Sequence, residues 1–224
     1  MQTPDEDTAL TPERMLSLLE DQQRLVTART AALVPWILAA WGIAWLGGFL
    51  VLWADAVQHP ADWRPSILAG LVFAALLVAA GVLSAVLGAR SGRGLRGTRE
   101  AAIVGIAYGN TWWLGGVALF LIGQALQRFG MPQSLLAVFY PSAFILFAGL
   151  MYVMGGLIWH AAPMTVLGVW CVILSAAGAL LPLPANYLAY GLGGGGAFLL
   201  AAGWSAWWLR SSRRRVSPSG RGRA

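Results

Sequence analysis

Only a few polar side chains in the apolar part of this chain could do chemistry, and all of them are uncharged. They include Asn110, Thr111, Tyr140 and Ser142. Amide and hydroxyl groups donate and accept hydrogen bonds without carrying charge, so they suit an uncharged solute. Pro141 in addition would leave a backbone carbonyl of its helix without the usual donor. We predict that these residues face a shared polar cavity; the alternative is one interhelical hydrogen bond for each.

Residues typical of catalysis, metal binding or phosphate binding lack the partners that those functions need. His59 and His160 fall in loops on opposite sides of the predicted membrane, so they cannot share a metal ion. The serine in Gly203–Ala206 has no second glycine after it and no histidine in an apolar stretch to activate it. Gly193–Gly196 is not followed by the Lys-Ser/Thr of a phosphate-binding loop, which favours backbone packing or a hinge. We expect no enzyme, no cofactor and no metal site.

The composition predicts a membrane protein. Of the 224 residues, 58% are hydrophobic and 11% charged, and the mean hydropathy is +0.67, whereas a soluble domain averages about 25% charged residues. A helix needs about 20 apolar residues to cross a hydrocarbon core of about 30 Å. We therefore predict an all-α, polytopic bundle of six transmembrane helices, with no charged residue or histidine inside any span. The spans are Ala32–Ala54, Ser66–Ala89, Ala101–Leu126, Ser134–Ile158, Pro163–Pro182 and Asn186–Leu209.

The arginines are distributed unevenly on the two sides of these spans. Thirteen of the fifteen lie in the N-terminal segment, in the loop between the second and third spans, or in the C-terminal segment. Only Arg64 and Arg128 lie on the other side. Arginine-rich short loops face the cytoplasm, so we expect a multi-pass protein of the cytoplasmic (inner) membrane with both termini in the cytoplasm. Because these arginines adjoin apolar spans, the positive charge does not indicate a nucleic-acid partner.

Two polar segments flank the membrane domain of residues 32–209. In residues 1–31, Thr11, Pro12 and Glu13 are typical of a helix start. Apolar residues then recur at helical spacing, which predicts a short amphipathic cytoplasmic helix. Docking on the bundle, contact with a partner and binding to the inner leaflet all remain open for it. Residues 210–224 are predicted to form a basic, disordered cytoplasmic tail.

Small residues recur at spacings that predict close helix packing. Gly105, Gly109, Gly116 and Gly123 in the third span are four, seven and seven residues apart, as are Gly70, Ala74, Gly81 and Gly88 in the second. Such steps keep one face towards a neighbouring helix. We expect the all-glycine face of the third span to pack tightly, with a flexible gate as the alternative. Looser series occur at Ser142, Gly149 and Gly156 and at Ala189, Gly196 and Gly203.

Tryptophans within the spans need an explanation other than the membrane interface, where this residue is usually found. Trp41, Trp45, Trp112 and Trp113 all lie far from the predicted span ends. Packing inside the bundle and lining of a pore are the two interpretations.

The decapeptide Ala40–Phe49, preceded by a helix containing Leu18–Gln23, resembles uncharacterised actinobacterial integral membrane proteins. The resemblance covers about the first fifty residues. It implies an envelope location and a transport or regulatory role, and it supplies no functional residue.

Two functions fit these features. The first is a small permease-like transporter, or a transporter subunit, for an uncharged or lipophilic solute. The second is a non-transporting membrane protein that acts through its N-terminal helix and basic tails. Its partner would be a cytoplasmic protein or a second copy of the chain, in addition to the lipid bilayer.

Overall fold

A computed structural model describes residues 12–58, 65–91 and 98–215, and within these ranges every regular element is helical. The last predicted span corresponds to one helical run built from α6, a π-helical segment and α7. The elements are α1 (Pro12–Gln58), α2 (Ile67–Ser91), α3 (Arg99–Arg128), α4 (Gln133–Ile158), α5 (Ala162–Ala179), α6 (Ala185–Leu188), the π segment (Ala189–Gly195) and α7 (Gly196–Arg215).

In the described part of the chain, five helices are long and apolar enough to cross a bilayer. They coincide with the first five predicted spans, so the all-α class and the multi-pass membrane character are confirmed. The protein is a multi-pass membrane protein. The run from Ala185 to Arg215 covers the sixth predicted span, but its apolar stretch is divided between three helical pieces.

Helix α1 begins at Pro12 and continues without interruption into the first apolar stretch. The preceding Thr11 lies outside the described residues, as do His59, residues 1–10 and the tail beyond Arg215. The side chains of residues 15–31 are likewise not described. The amphipathic character of this segment and the disorder of the tail therefore stay predictions.

Polar side chains form hydrogen bonds at the end of α1 and at the starts of α2 and α3. The Ser66 backbone N–H donates to the Asp55 carboxylate at the end of α1 (2.8 Å), and the Ser66 hydroxyl accepts from the Ala69 N–H (3.2 Å). Thr98 caps α3 by accepting from the Ala101 N–H (3.2 Å). Each contact satisfies a backbone donor that the first helical turn leaves free.

Helix α1 is the centre of the bundle. It packs on α2 along one side and on the π segment and α7 along the other. Helix α5 lies against α4 and the π segment, while α3 makes its extended interface with α4. The order around the bundle is therefore α2, α1, the sixth helical run, α5, α4 and α3.

The glycines of the π segment let two backbones come into contact. A Cβ on Gly195 would lie 2.5 Å from the Leu46 backbone nitrogen, and one on Gly194 would lie 2.7 Å from the Trp45 ring. A Cβ on Gly193 would lie 2.8 Å from Leu174 of α5. Helices in lipid associate through such close van der Waals contact. Of the two interpretations of this glycine run, the structure shows backbone packing.

The looser glycine series of α4 packs more closely on a neighbouring helix than the N-terminal part of the all-glycine series of α3. Gly149 and Gly156 of α4 lie against α5, and a Cβ on Gly168 of α5 would lie 2.6 Å from the Val153 nitrogen. In α3, by contrast, a Cβ on Gly105 or Gly109 would meet no atom within 4 Å. The prediction of tight packing for the all-glycine face of α3 is therefore wrong for its N-terminal half, because there the face meets no other helix of the described residues.

The contact at Gly195 generates a stability prediction with a neighbouring control. We expect Gly195→Ala to destabilise the protein by about 1–3 kcal/mol, because its methyl group must displace the α1 backbone. Gly196→Ala, where a Cβ meets nothing within 4 Å, should be neutral or stabilising by up to about 1 kcal/mol. Thermal unfolding in detergent micelles measures both. Equal melting temperatures for the two variants would contradict the packing described here.

Candidate functional site

A cavity of about 610 Å³ lies between the α1–α2 pair and the α3–α4 pair. Its walls come from these four helices, from Pro65 before α2 and from Tyr187 of α6. None of the described residues that line it is charged. We call it the aromatic cavity, because tryptophan, phenylalanine and tyrosine side chains dominate its described walls. Besides Tyr140 and Tyr187 they are Trp41, Trp45, Phe49, Phe73, Trp112, Phe144 and Phe147.

The two ends of the aromatic cavity differ in polarity. Gln127, Gln133 and Pro65 line the end next to the α1–α2 and α3–α4 loops, which we call the loop end. Trp41 and Trp112 line the opposite, deep end. Along α4 the lining runs from Gln133 to Ala148, which at 1.5 Å per residue is about 22 Å. This length and polarity suit an elongated apolar molecule with one polar end.

The structure does not bring the four predicted site residues together. Tyr140 lines the aromatic cavity, whereas Asn110 and Thr111 are exposed on α3 and absent from its lining. The Thr111 hydroxyl donates to the carbonyl of Ala107 one turn earlier (2.9 Å). The exposed position of Asn110 and Thr111 follows from the open N-terminal half of α3.

Ser142 belongs to a hydroxyl cluster that joins α4, α5 and the π segment. Its hydroxyl lies 2.7 Å from the Tyr190 hydroxyl. The Ser175 hydroxyl donates to the Ser142 carbonyl (2.7 Å), and the Tyr190 hydroxyl lies 3.3 Å from the Ser175 carbonyl. Ser142 therefore contributes to bundle packing, as in the simpler of the two interpretations.

Pro141 frees a carbonyl that a tyrosine then satisfies. Pro141 has no N–H, so the carbonyl of Ala137, four residues earlier, loses its helical donor. The Tyr187 hydroxyl donates to that carbonyl at 3.1 Å. In a helix that spans a membrane, such a carbonyl needs a donor within the protein. This bond connects α6 to α4 beside the aromatic cavity, which both residues line.

Tyr140 is fixed at the α3–α4 wall. Its ring lies directly over Gly123, where a Cβ would overlap with it. Its hydroxyl accepts from the Gln124 amide (3.0 Å) and donates to the Phe120 carbonyl (3.4 Å). The hydroxyl is thus used within the wall. The amides of Gln127 and Gln133, which also line the cavity, form no side-chain hydrogen bond with the described residues.

The deep tryptophans divide between the two interpretations. Trp41, Trp45 and Trp112 line the aromatic cavity, and the Trp41 indole also donates to the Ser84 hydroxyl of α2 (3.0 Å). Trp113 is 79% exposed, as expected of a lipid-facing side chain. The sequence analysis missed Phe49, Phe73 and Tyr187, because aromatic residues in an apolar helix carry no signal of which face they occupy.

Asn186 is a buried polar residue without a partner. It is 0% exposed, and neither its amide nitrogen nor its carbonyl oxygen has a hydrogen-bond partner among the described residues. Burial of an unsatisfied polar group costs free energy. The sequence analysis did not single it out, because an asparagine two residues after a proline, near a span end, is typical of a turn.

Comparisons with protein-family models, with curated protein sequences and with solved structures give no match for this chain.

The Tyr187–Ala137 bond predicts a coupling between two substitutions. We expect Tyr187→Phe to destabilise the protein by about 0.6–2 kcal/mol, because the Ala137 carbonyl loses its donor. In a Pro141→Ala background, the restored N–H of residue 141 can donate to Ala137, so the same change should cost less. A double-mutant cycle from unfolding in mixed micelles measures this coupling. Strictly additive effects would contradict the account.

At Asn186 we expect a substitution to stabilise the protein. Replacing this asparagine with leucine, which has a similar volume, removes an unsatisfied amide and should stabilise the protein by about 1–3 kcal/mol. Ser175→Ala is the control, since it removes a hydroxyl that donates at 2.7 Å and should destabilise. Thermal unfolding of both variants gives the comparison. A lower melting temperature for Asn186→Leu would contradict the expectation.

Proposed function

We propose that the protein is a small permease-like membrane protein, or a transporter subunit, that binds an uncharged lipophilic molecule in the aromatic cavity. The observation that carries the proposal is the lining of that cavity. Among the described residues this lining is aromatic, contains no charged residue and has amide groups at one end only. A charged solute would be desolvated there without a counter-charge, at high cost in free energy. An apolar molecule avoids this desolvation cost on entering.

We also propose a location and orientation for the protein. The arginine distribution supports six crossings of the cytoplasmic membrane with both termini in the cytoplasm. In this orientation the loop end of the aromatic cavity faces the outer leaflet. A cysteine introduced at Gln58 should react with an impermeant thiol reagent in intact cells, and one at Ser91 should not. Labelling of the Ser91 position from outside would contradict the orientation.

A second candidate is a non-transporting partner protein. Helix α1 supports this second candidate. The helix begins twenty residues before the first apolar stretch, and these residues, Pro12 to Ala31, extend over about 30 Å. Deletion of residues 1–30 separates the two functions. Flux of a lipophilic solute in proteoliposomes that survives the deletion supports the permease. Absence of flux in the full chain, with a cytoplasmic partner lost on deletion, supports the second candidate.

Photolabelling tests the binding site directly. We expect a long-chain alcohol bearing a diazirine to label the protein in nanodiscs at residues 70–77 and 140–148, which line the aromatic cavity. Gly70→Leu and Gly116→Leu should each reduce this labelling several-fold, because their side chains fill the cavity. At these positions a Cβ meets no atom closer than 3.9 Å, so the backbone need not move.

The matched control is Gly203→Leu, since Gly203 is also without neighbours within 4 Å but lies outside the cavity lining. Its labelling should equal that of the unmodified protein. Equal labelling of all three variants, or labelling confined to lipid-facing positions such as Trp113, would contradict the proposed site.

A further inference from the structure

We infer that the ligand of the aromatic cavity is a single-chain amphiphile with an uncharged head group, and that it enters sideways from the bilayer between α2 and α3. The inference rests on the proposed function and adds the chemical class of the ligand and its route. Two sets of observations carry it: the construction of the cavity walls, and the distribution of polar groups along the cavity.

The walls of the cavity are two separate helix pairs. Helix α2 is attached to α1, where the Trp41 indole bonds Ser84 and a Cβ on Gly48 would lie 2.5 Å from the Phe73 ring. Helix α3 is attached to α4, where the Tyr108 hydroxyl donates to the Met151 carbonyl (2.9 Å). Among the described residues, α2 and α3 form no extended interface with each other. The cavity is therefore not sealed by helix packing on this side.

The small-residue faces of both helices border this gap. Gly70 and Gly116 line the cavity itself. Gly81 lies eleven residues after Gly70 on the same face of α2, and Gly109 lies seven residues before Gly116 on the same face of α3. A Cβ on Gly81 or Gly109 would meet no described atom within 4 Å. A glycine surface presents no side chain to a molecule that slides along it. The gap between α2 and α3 thus has the lowest steric barrier between the cavity and the lipid.

The polar residues of the cavity lining indicate where the head group binds and that it is uncharged. Gln127 and Gln133 lie at the loop end, and a carboxamide both donates and accepts hydrogen bonds. A hydroxyl, ester or carbonyl head group would match them, whereas a carboxylate or ammonium group would find no counter-charge among the described residues of the lining. The apolar chain then extends towards Trp41 and Trp112 at the deep end. An amphiphile already inserted in the outer leaflet would have this orientation before it enters.

Reversible bridging of the gap tests the route. Ala74 and Val117 are exposed and border cavity-lining residues of α2 and α3 without lining the cavity themselves. Cysteines at both positions, in a Cys171→Ala background that removes the chain's one cysteine, are joined by thiol-cleavable bismaleimides of increasing length. The diazirine-bearing long-chain alcohol is then added from donor vesicles to protein in nanodiscs. We expect bridging to slow labelling of the cavity by at least about tenfold and reductive cleavage to restore it.

The control pair is Met154→Cys with Val169→Cys. Both residues are exposed, and they lie on α4 and α5, which pack directly on each other. Bridging them should leave the labelling rate unchanged. An unbridged protein that is not labelled in the cavity would overturn the proposed function. Normal labelling of the unbridged protein, together with an equal rate in the Ala74/Val117 bridged protein, would overturn the lateral route alone.

The position of the diazirine tests the chemical class and the orientation. A diazirine next to the hydroxyl should label residues 127–133, and one at the chain terminus should label the Trp112 and Phe147 peptides. A long-chain carboxylate or ammonium compound with the same diazirine should label the cavity several-fold less. The reversed positional pattern would overturn the inferred orientation, and equal labelling by the charged compounds would overturn the inferred class.

Discussion

Direct contact between the α1 backbone and the glycines of the π segment determines the rest of the bundle. Gly194 and Gly195 leave room for the α1 chain at Trp45 and Leu46. With one side of α1 occupied in this way and α2 attached to another, Trp41 and Phe49 are directed into the space between the helix pairs. The aromatic cavity is a consequence of this arrangement, since α3 and α4 approach from the far side without filling it.

Satisfaction of backbone groups within the bilayer is the second constraint on the structure. The carbonyl freed by Pro141 requires a donor, and Tyr187 supplies it from the sixth helical run. The hydroxyl cluster of Ser142, Ser175 and Tyr190 connects α4, α5 and the π segment. These contacts hold α4, α5 and the sixth run together as one side of the bundle. The α2–α3 side has no comparable set of polar contacts among the described residues, which agrees with a lateral route there.

The sequence was sufficient for the helices but not for their neighbours. Apolar stretches of about 20 residues predict spans because of bilayer thickness, and the first five spans match the five apolar helices. Which glycines pack cannot be read from spacing, because Gly105 belongs to the more regular series and Gly149 to a looser one, yet of these two only Gly149 meets another helix among the described residues. Likewise Asn110 and Tyr140 are both polar residues in apolar spans. Only the placement of α3 relative to α4 decides that Tyr140 faces the cavity.

The central claim is that the space between the α1–α2 and α3–α4 pairs is a site for an elongated amphiphile. The most direct measurement is cryo-electron microscopy of the protein in nanodiscs made from native lipid extract. We expect elongated density in the aromatic cavity, with its polar end between Gln127 and Gln133 and with α2 separated from α3. A map in which α2 packs along α3, and in which no space remains beside Trp41 and Trp112, would contradict it.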